Sequence, residues 1–158
     1  MGVLKMVRID YRMVHGQIVA KWIKFRPVDR LILADDALVE DDFMGDIYRM
    51  AVPQKDVDIV RISDIQKAID AKNDKVLLIF KDVNAAYNAW KNGLVLPELN
   101  VGAIENATNR KTVLQGVALS QSEYKKLEEM QASGVHVFLQ PIPENDAIEL
   151  KSIEKKVF

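Results

Sequence analysis

Cysteine is absent from this chain of 158 residues. Disulfide bonds, thiolate catalysis and cysteine-ligated metal sites are therefore excluded. The chain has only two histidines, and they do not have the HxxxH spacing that is typical of a histidine metal site. We therefore predict no metal.

Long hydrophobic runs, a strong net charge and nucleotide-binding motifs are also missing. No apolar run approaches the roughly 20 residues that a membrane-spanning helix needs, and charged residues occur too early in MGVLKMVRID for a signal peptide. A formal net charge of −1 gives no overall electrostatic reason to bind nucleic acid or an anionic membrane. Neither a GxGxxG motif nor a P-loop is present. We expect a cytoplasmic protein without a nucleotide cofactor.

The composition that remains is that of a globular protein. Hydrophobic residues make up 49% of the chain and charged residues 28%, which argues against disorder. A chain of this length can bury a sizeable core within one domain. Because no repeat, low-complexity stretch or linker interrupts it, we predict one domain over residues 1–158.

Apolar runs rich in β-branched residues alternate with segments of helical periodicity. The predicted strands are Val3 to Ile9, Arg30 to Ala34, Val57 to Ile62, Val76 to Phe80, Leu99 to Ile104, Thr112 to Leu119 (interrupted by Gly116) and Val135 to Leu139. The predicted helices are Gln17 to Phe25, Asp41 to Ala51, a helix through Ala71 with Ser63 or Asp64 as its N-cap, Val83 to Lys91, and a helix to Ala132 capped by Ser120 or Ser122. This order favours an α/β fold with a mostly parallel sheet and helices on both faces.

Ligand sites of such sheets lie at the carboxyl ends of the strands. Asp10 follows the first predicted strand and Asp35 the second, while Phe80 and Lys81 stand at the end of the fourth and Gly102 in the fifth. These five residues are therefore candidate site residues. Polar residues at strand ends are also common in turns, and that alternative stays open for each of them.

The segment Val7 to Trp22 carries the residues with chemical potential. Arg8, Asp10, Arg12 and His15 fall within eight residues, where the first predicted strand leads into a helix. Neutral imidazole, with an unperturbed pKa of about 6.5, is a good nucleophile toward phosphorus. Phosphoryl transfer otherwise needs positioning and positive charge around the phosphoryl oxygens. A planar guanidinium such as that of Arg12 can supply this charge.

The neighbours of His15 fit the same chemistry. Gly16 has no side chain to obstruct a phosphate, and the helix that begins nearby offers free N–H groups. Asp10 can orient either Arg12 or the imidazole, and Arg8 is either a further support or a charge at the strand edge. Gln17 is a candidate site residue or simply exposed helix surface. On residue pattern alone, His15 also remains a candidate cap or packing residue.

Other candidates have simpler explanations. His136 lies within the apolar run GVHVFL, which favours a structural role. The pairs Asp35-Asp36 and Asp41-Asp42 match magnesium ligands only in composition, and we interpret them as turn and cap residues.

The stretch VRIDYRMVHGQIVAKW resembles the N-terminal signature of the mannose/fructose/sorbose-type IIB components of the bacterial phosphoenolpyruvate-dependent sugar phosphotransferase system. The similarity continues through DRLILADD, LLIFKD, ELNVGAI and SGVHVFLQPIP. It implies an open, twisted, mostly parallel sheet with helices on both faces. It also implies that His15 accepts a phosphoryl group from a IIA component, with Arg12 as phosphate clamp and Asp10 and Arg8 as supports. No metal or other cofactor is implied.

The same resemblance implies the partners and the location. The phosphoryl group would pass from His15 to a sugar entering through membrane-embedded IIC and IID subunits, so the chain would be cytoplasmic and peripherally associated with that transporter. Tyr11 stands where many members have a second aspartate, and AIENATNRKTV replaces the Gly-Met-His-containing stretch usual in mannose-type members. We therefore expect a hexose or an N-acetylated amino sugar.

Two other functions stay open at this point, as does assembly into a homo-oligomer. The chain could be a regulatory module in which the same phosphorylation controls a partner. It could also be a small-molecule hydrolase that uses His15 and Asp10, although no second acid/base group is evident nearby in the sequence.

Overall fold

The computed structural model describes all 158 residues. Its strands are β1 (Val3–Asp10), β2 (Arg30–Ala34), β3 (Asp56–Val60), β4 (Lys75–Phe80), β5 (Glu98–Ala103), β6 (Lys111–Leu114), β7 (Val117–Leu119), β8 (His136–Leu139) and β9 (Ile148–Glu149). Its α-helices are α1 (Gly16–Phe25), α2 (Asp36–Val39), α3 (Asp42–Ala51), α4 (Ile65–Asp70), α5 (Val83–Lys91), α6 (Gln121–Ala132) and α7 (Glu154–Val157). Short 3₁₀ turns span Ile62–Asp64 and Leu150–Ile153. No helix combines the length and apolarity that crossing a bilayer requires.

A seven-stranded sheet in the order β3-β2-β4-β1-β5-β8-β9 forms the centre of the fold. All neighbouring strands pair in parallel except β8 and β9, which are antiparallel. Alternate side chains of one strand enter different cores: Leu78 and Phe80 of β4 pack on one face of the sheet, and Leu77 and Ile79 on the other. Burial of both faces confirms the predicted α/β fold with helices on both sides of a mostly parallel sheet.

Beyond small shifts at element ends, the structure adds the short helices α2 and α7, which were not predicted. The predicted interruption at Gly116 is confirmed, because Gly116 adopts a φ of +85° and turns the chain between β6 and β7, which pair antiparallel. The tail after Pro141, which the sequence left unassigned, contributes the two-residue edge strand β9. An element this short carries no periodicity from which it could be predicted.

Side-chain caps fix the starts of several helices. The Asp35 carboxylate accepts a hydrogen bond from the Leu38 N–H at 3.2 Å, and Asp41 accepts one from the Met44 N–H at 3.1 Å. The interpretation of these aspartates as cap residues is therefore confirmed. Ser120 caps α6 in a reciprocal capping box, as its position before the helix predicts.

Candidate functional site

The loop of residues 11–15, between β1 and α1, is fixed by two backbone hydrogen bonds, and His15 is its most exposed residue. The Tyr11 N–H donates to the Ala103 carbonyl at 3.1 Å, and the Met13 N–H donates to the Asp10 carbonyl at 2.9 Å. Met13 and Val14 are buried, whereas His15 is exposed. Met13 has a φ of +59°, a left-handed conformation that is uncommon outside glycine. The loop therefore holds a strained backbone two residues before the exposed His15.

His15 occupies the N-cap position of α1 but does not cap it. Its side chain makes no cap hydrogen bond, and both oxygens of Asp10 are engaged by arginines instead of the imidazole. Of the two partners that the sequence left open for Asp10, the structure shows Arg12. The imidazole of His15 is thus exposed and unengaged within the chain.

The N-terminus of α1 offers free hydrogen-bond donors beside His15. The first bond of the helix runs from the Val19 N–H to the His15 carbonyl, so the N–H groups of Gly16, Gln17 and Ile18 have no partner within the helix. No acidic residue lies in the first turn to compensate the positive end of the helix dipole. Gly16 and Gln17 are exposed. This helix terminus is therefore suited to bind an anion.

Asp10 holds the guanidinium groups of both nearby arginines. Its carboxylate accepts from Arg8 Nη2 at 3.2 Å and from Arg12 Nε and Nη2 at 3.2 and 3.3 Å. The Arg12 backbone N–H donates to the same carboxylate at 3.0 Å. The Asp10 side chain is 3% exposed and that of Arg12 is 34% exposed, so Arg12 reaches solvent from a buried anchor. Its Nη1 group remains free to donate outward.

Tyr11 adds a second restraint on Arg12. The Arg12 guanidinium lies over the Tyr11 ring, 5.6 Å from the ring centroid. The aromatic ring at position 11 therefore offers the Arg12 guanidinium an apolar surface on one side.

Arg8 is buried, not at a strand edge. Besides Asp10, its guanidinium donates to the carbonyls of Gln140 at 3.1 Å and Pro141 at 2.9 Å. Burial lowers the pKa of Arg8 to about 10, against the opposing effect of Asp10, so the group stays protonated at neutral pH. The alternative of a surface charge is wrong for Arg8, which supports Asp10 from beneath.

Gly102 makes room for this arginine. A Cβ atom at Gly102 would lie 2.1 Å from Arg8 Cζ, far inside van der Waals contact. The other side of the guanidinium faces the Trp22 ring, 5.3 Å from its centroid. Trp22 in turn donates its indole N–H to the Pro141 carbonyl at 3.2 Å. The slot between β5 and α1 thus fits a guanidinium only because residue 102 lacks a side chain.

The remaining candidates at the strand ends lie beside the loop or in the core. Asp35 and Lys81 line a cavity of about 220 Å³ together with Tyr11, Met13, Ala37, Leu38, Asp41, Met44 and Tyr48. Burial, together with the carboxylates of Asp35, Asp10 and Asp41, raises the pKa of Tyr48. Phe80 is fully buried in the core and offers no side-chain surface to this cavity.

Some residues of the site were missed in the sequence. Asn100, whose Oδ1 lies 3.4 Å from Arg8 Nη1, and the carbonyls of Gln140 and Pro141 complete the arginine slot. The one feature of the sequence that could have indicated this slot is an asparagine inside the otherwise apolar run of β5. His136, predicted to be structural, lies exposed at the start of β8, where its Nε2 is 3.0 Å from Glu149 Oε1. No group of three or more carboxylate and histidine side chains is arranged to hold a metal ion.

The arrangement around His15 suits the acceptance of a tetrahedral anion. An exposed imidazole can attack, the free N–H groups of α1 can bind the oxygens of that anion, and a guanidinium fixed in the same loop can neutralise charge. The site is open, so a second macromolecule can reach it.

Comparisons with known proteins agree with this chemistry. The family model for the "PTS system sorbose subfamily IIB component" matches residues 4–157. The chain is 26% identical to the N-acetylgalactosamine-specific phosphotransferase enzyme IIB component 2 of Escherichia coli, over 90% of this chain and 93% of that protein. It is 24% identical to the sorbose-specific EIIB component of Lacticaseibacillus casei, over 99% and 98%.

Solved structures show the same fold. The crystal structure of manxB from Thermoanaerobacter tengcongensis has a TM-score of 0.93 and 33% identity, covering 100% of this chain and 98% of that one. The IIB domain of the sorbose permease from Klebsiella pneumoniae has a TM-score of 0.89 and 22% identity, covering 100% and 99%. The chain therefore belongs to the sorbose-type IIB components of the phosphotransferase system, phosphotransferases that accept phosphate from a IIA component and pass it to a sugar through a IIC/IID transporter.

Proposed function

We propose that His15 is the residue that carries the phosphoryl group. The observation that supports this most directly is the exposed, unengaged imidazole at the uncapped N-terminus of α1. His136, the other histidine, is paired with Glu149 and begins strand β8, so it does not stand at a helix N-terminus. The reaction class is transfer between a protein phosphohistidine and a sugar.

The proposed mechanism has two in-line displacements at phosphorus. A ring nitrogen of neutral His15 attacks the phosphorus on the donor histidine, and the P–N bond of the donor breaks as the new P–N bond forms. A sugar hydroxyl later attacks the phosphorus on His15, the P–N bond breaks to release neutral imidazole, and the hydroxyl proton passes to solvent. In both steps Arg12 and the free N–H groups of α1 stabilise the charge on the equatorial oxygens. Asp10 and Arg8 hold Arg12 in position.

We predict that Arg12→Lys lowers the rate of phosphoryl transfer to the chain by about tenfold, because one positioned donor to a transferring group contributes on this order or more. Lysine keeps the positive charge but cannot bind Asp10 with a planar fork and donate outward at the same time. Rapid-quench measurement of transfer from a phosphorylated IIA component gives the rate. Lys24→Arg, at the exposed end of α1, is the matched control and should transfer at the wild-type rate. A wild-type rate for Arg12→Lys would contradict the role of clamp.

We further propose that residues 1–158 act as one carrier domain in the cytoplasm, next to the membrane transporter, and that the sugar is a hexose or an N-acetylated amino sugar. The names of the relatives include both classes, because one is specific for N-acetylgalactosamine and others for fructose and sorbose.

The test is a complete phosphoryl relay in vitro. Chain labelled by phosphoenolpyruvate, the general phosphotransfer proteins and IIA is mixed with membranes that hold the cognate IIC and IID subunits and with single sugars of each class. We expect acid-labile, alkali-stable label on the peptide containing His15, followed by formation of one labelled sugar phosphate. Label that never reaches a sugar would favour the regulatory module, and release of inorganic phosphate from small esters would favour the hydrolase.

A further inference from the structure

Helix α3 exposes a continuous apolar stripe. Phe43 is 75% exposed, Ile47 36% and Met50 71%. Their spacing of i, i+4 and i+7 places them on one side of the helix. We call these three residues the α3 stripe.

The stripe is not the face with which α3 packs on the sheet. That inner face contains the buried Gly45, against which Ile59 of β3 packs, so close that a Cβ at Gly45 would lie 3.0 Å from Ile59 Cδ1. Met44 and Tyr48 are the partly buried apolar residues of α3 that pack on the core. Large apolar side chains are therefore on the outside of the helix and a glycine is inside, a distribution typical of a surface that another molecule covers.

The helix that carries the α3 stripe adjoins, through other residues, the loop that carries His15. Met44 and Tyr48 of α3 line the same cavity as Tyr11 and Met13 of the loop. At the other end of the helix, a Cβ at Gly16 would lie 3.8 Å from the Ala51 carbonyl oxygen. A partner that reaches His15 can therefore cover the stripe in the same encounter.

The charges beside the stripe indicate the kind of partner. Asp42 and Asp46 of α3 are exposed, and Arg49, 3.7 Å from Asp46, is the one basic residue of the helix. We call Asp42 and Asp46 the acidic margin of the stripe. Its negative charge disfavours binding to an anionic lipid surface. Cytoplasmic loops of membrane proteins, by contrast, carry an excess of lysine and arginine. The combination of apolar stripe and acidic margin is complementary to such loops.

We propose that the α3 stripe and its acidic margin dock the chain onto basic cytoplasmic loops of the IIC/IID transporter, so that this helix recognises the acceptor side of the relay and not the IIA donor. The inference rests on the proposed function of His15, because the stripe matters for transfer only if the adjoining loop carries the phosphoryl group.

The test separates the two half-reactions. The double variant Phe43→Gln/Met50→Gln keeps residues of good helix propensity at both positions. Its rate of phosphorylation by IIA should equal that of the wild type. The concentration of phosphorylated chain that half-saturates sugar phosphorylation by transporter membranes should rise about tenfold, the effect of losing one or two central apolar contacts. Val95→Gln removes an equally exposed apolar residue just before β5, a strand separated from β3 by β2, β4 and β1, and should change neither step.

A charge variant tests the acidic margin independently. Asp42→Asn/Asp46→Asn should raise the same half-saturating concentration several-fold at low salt, and the difference from wild type should shrink at about 1 M salt as charges are screened. Its phosphorylation by IIA should again be unchanged.

Three outcomes would overturn the inference. If the stripe variant lost as much in phosphorylation by IIA as in sugar phosphorylation, the stripe would bind the IIA donor. If light scattering showed that the wild type is a dimer and that the stripe variant is a monomer, the stripe would instead bind a second copy of this chain. Unchanged half-saturation in both variants would leave the stripe without a role at the transporter. By contrast, a wild-type chain that takes no label on His15 would refute the proposed function itself.

Discussion

His15→Ala is expected to abolish phosphorylation of the chain by a IIA donor. No other side chain in the loop of residues 11–15 is a nucleophile with a comparable position at a helix N-terminus, and an attacking group supplies most of the acceleration in covalent transfer. The measurement is the amount of label transferred from phosphorylated IIA to the chain, after the two proteins are separated at alkaline pH. Because the imidazole is exposed and unengaged, the free energy of unfolding should change by less than about 0.5 kcal/mol.

The second histidine of the chain gives a matched control. His136→Ala removes an exposed imidazole paired with Glu149, at the start of β8, whereas the loop follows the end of β1. It should take up label at the wild-type rate. Label that persists on His15→Ala, or that disappears in His136→Ala while the fold is intact, would reverse the assignment of the acceptor.

Much of this site could be predicted from sequence because its reactive part is local. Asp10, Arg12 and His15 follow one strand and precede one helix, so strand and helix patterns alone place them together at the carboxyl edge of the sheet. The left-handed Met13 could not be predicted in the same way. It depends on the burial of Met13 and Val14 under neighbouring elements, and nothing in the local sequence marks a positive φ outside glycine.

The support beneath the loop could not be predicted, because it is assembled from distant parts of the chain. Arg8 meets the Pro141 carbonyl across 133 positions of sequence, and neither residue carries a pattern that indicates the other. Periodicity also fails to tell which apolar residues of a helix face the core. It predicts α3 correctly as a helix, yet the structure places Gly45 inside and Phe43 outside.

Gly102→Ala is expected to destabilise the chain by about 3 kcal/mol, the lower part of the range for breaking a buried ion pair. The added Cβ would lie 2.1 Å from Arg8 Cζ, and the guanidinium cannot move aside without leaving Asp10 and the carbonyl of Pro141. The buried charges of Arg8 and Asp10 would then no longer be paired with each other. Urea unfolding followed by circular dichroism gives the free energy of unfolding.

Two comparisons separate this clash from a general effect of replacing glycine. Gly93 has a φ of +105° and open space around it, so Gly93→Ala should cost about 1–2 kcal/mol from backbone strain alone. In an Arg8→Ala background the slot is empty, and Gly102→Ala should then cost less than about 1 kcal/mol, because the two positions are coupled through one volume. Equal losses in both backgrounds would mean that Gly102 is needed for the backbone of β5. A loss that depends on Arg8 would make Gly102 the residue that allows a buried guanidinium to hold Asp10, and through it Arg12, beneath the phosphoryl-carrying loop.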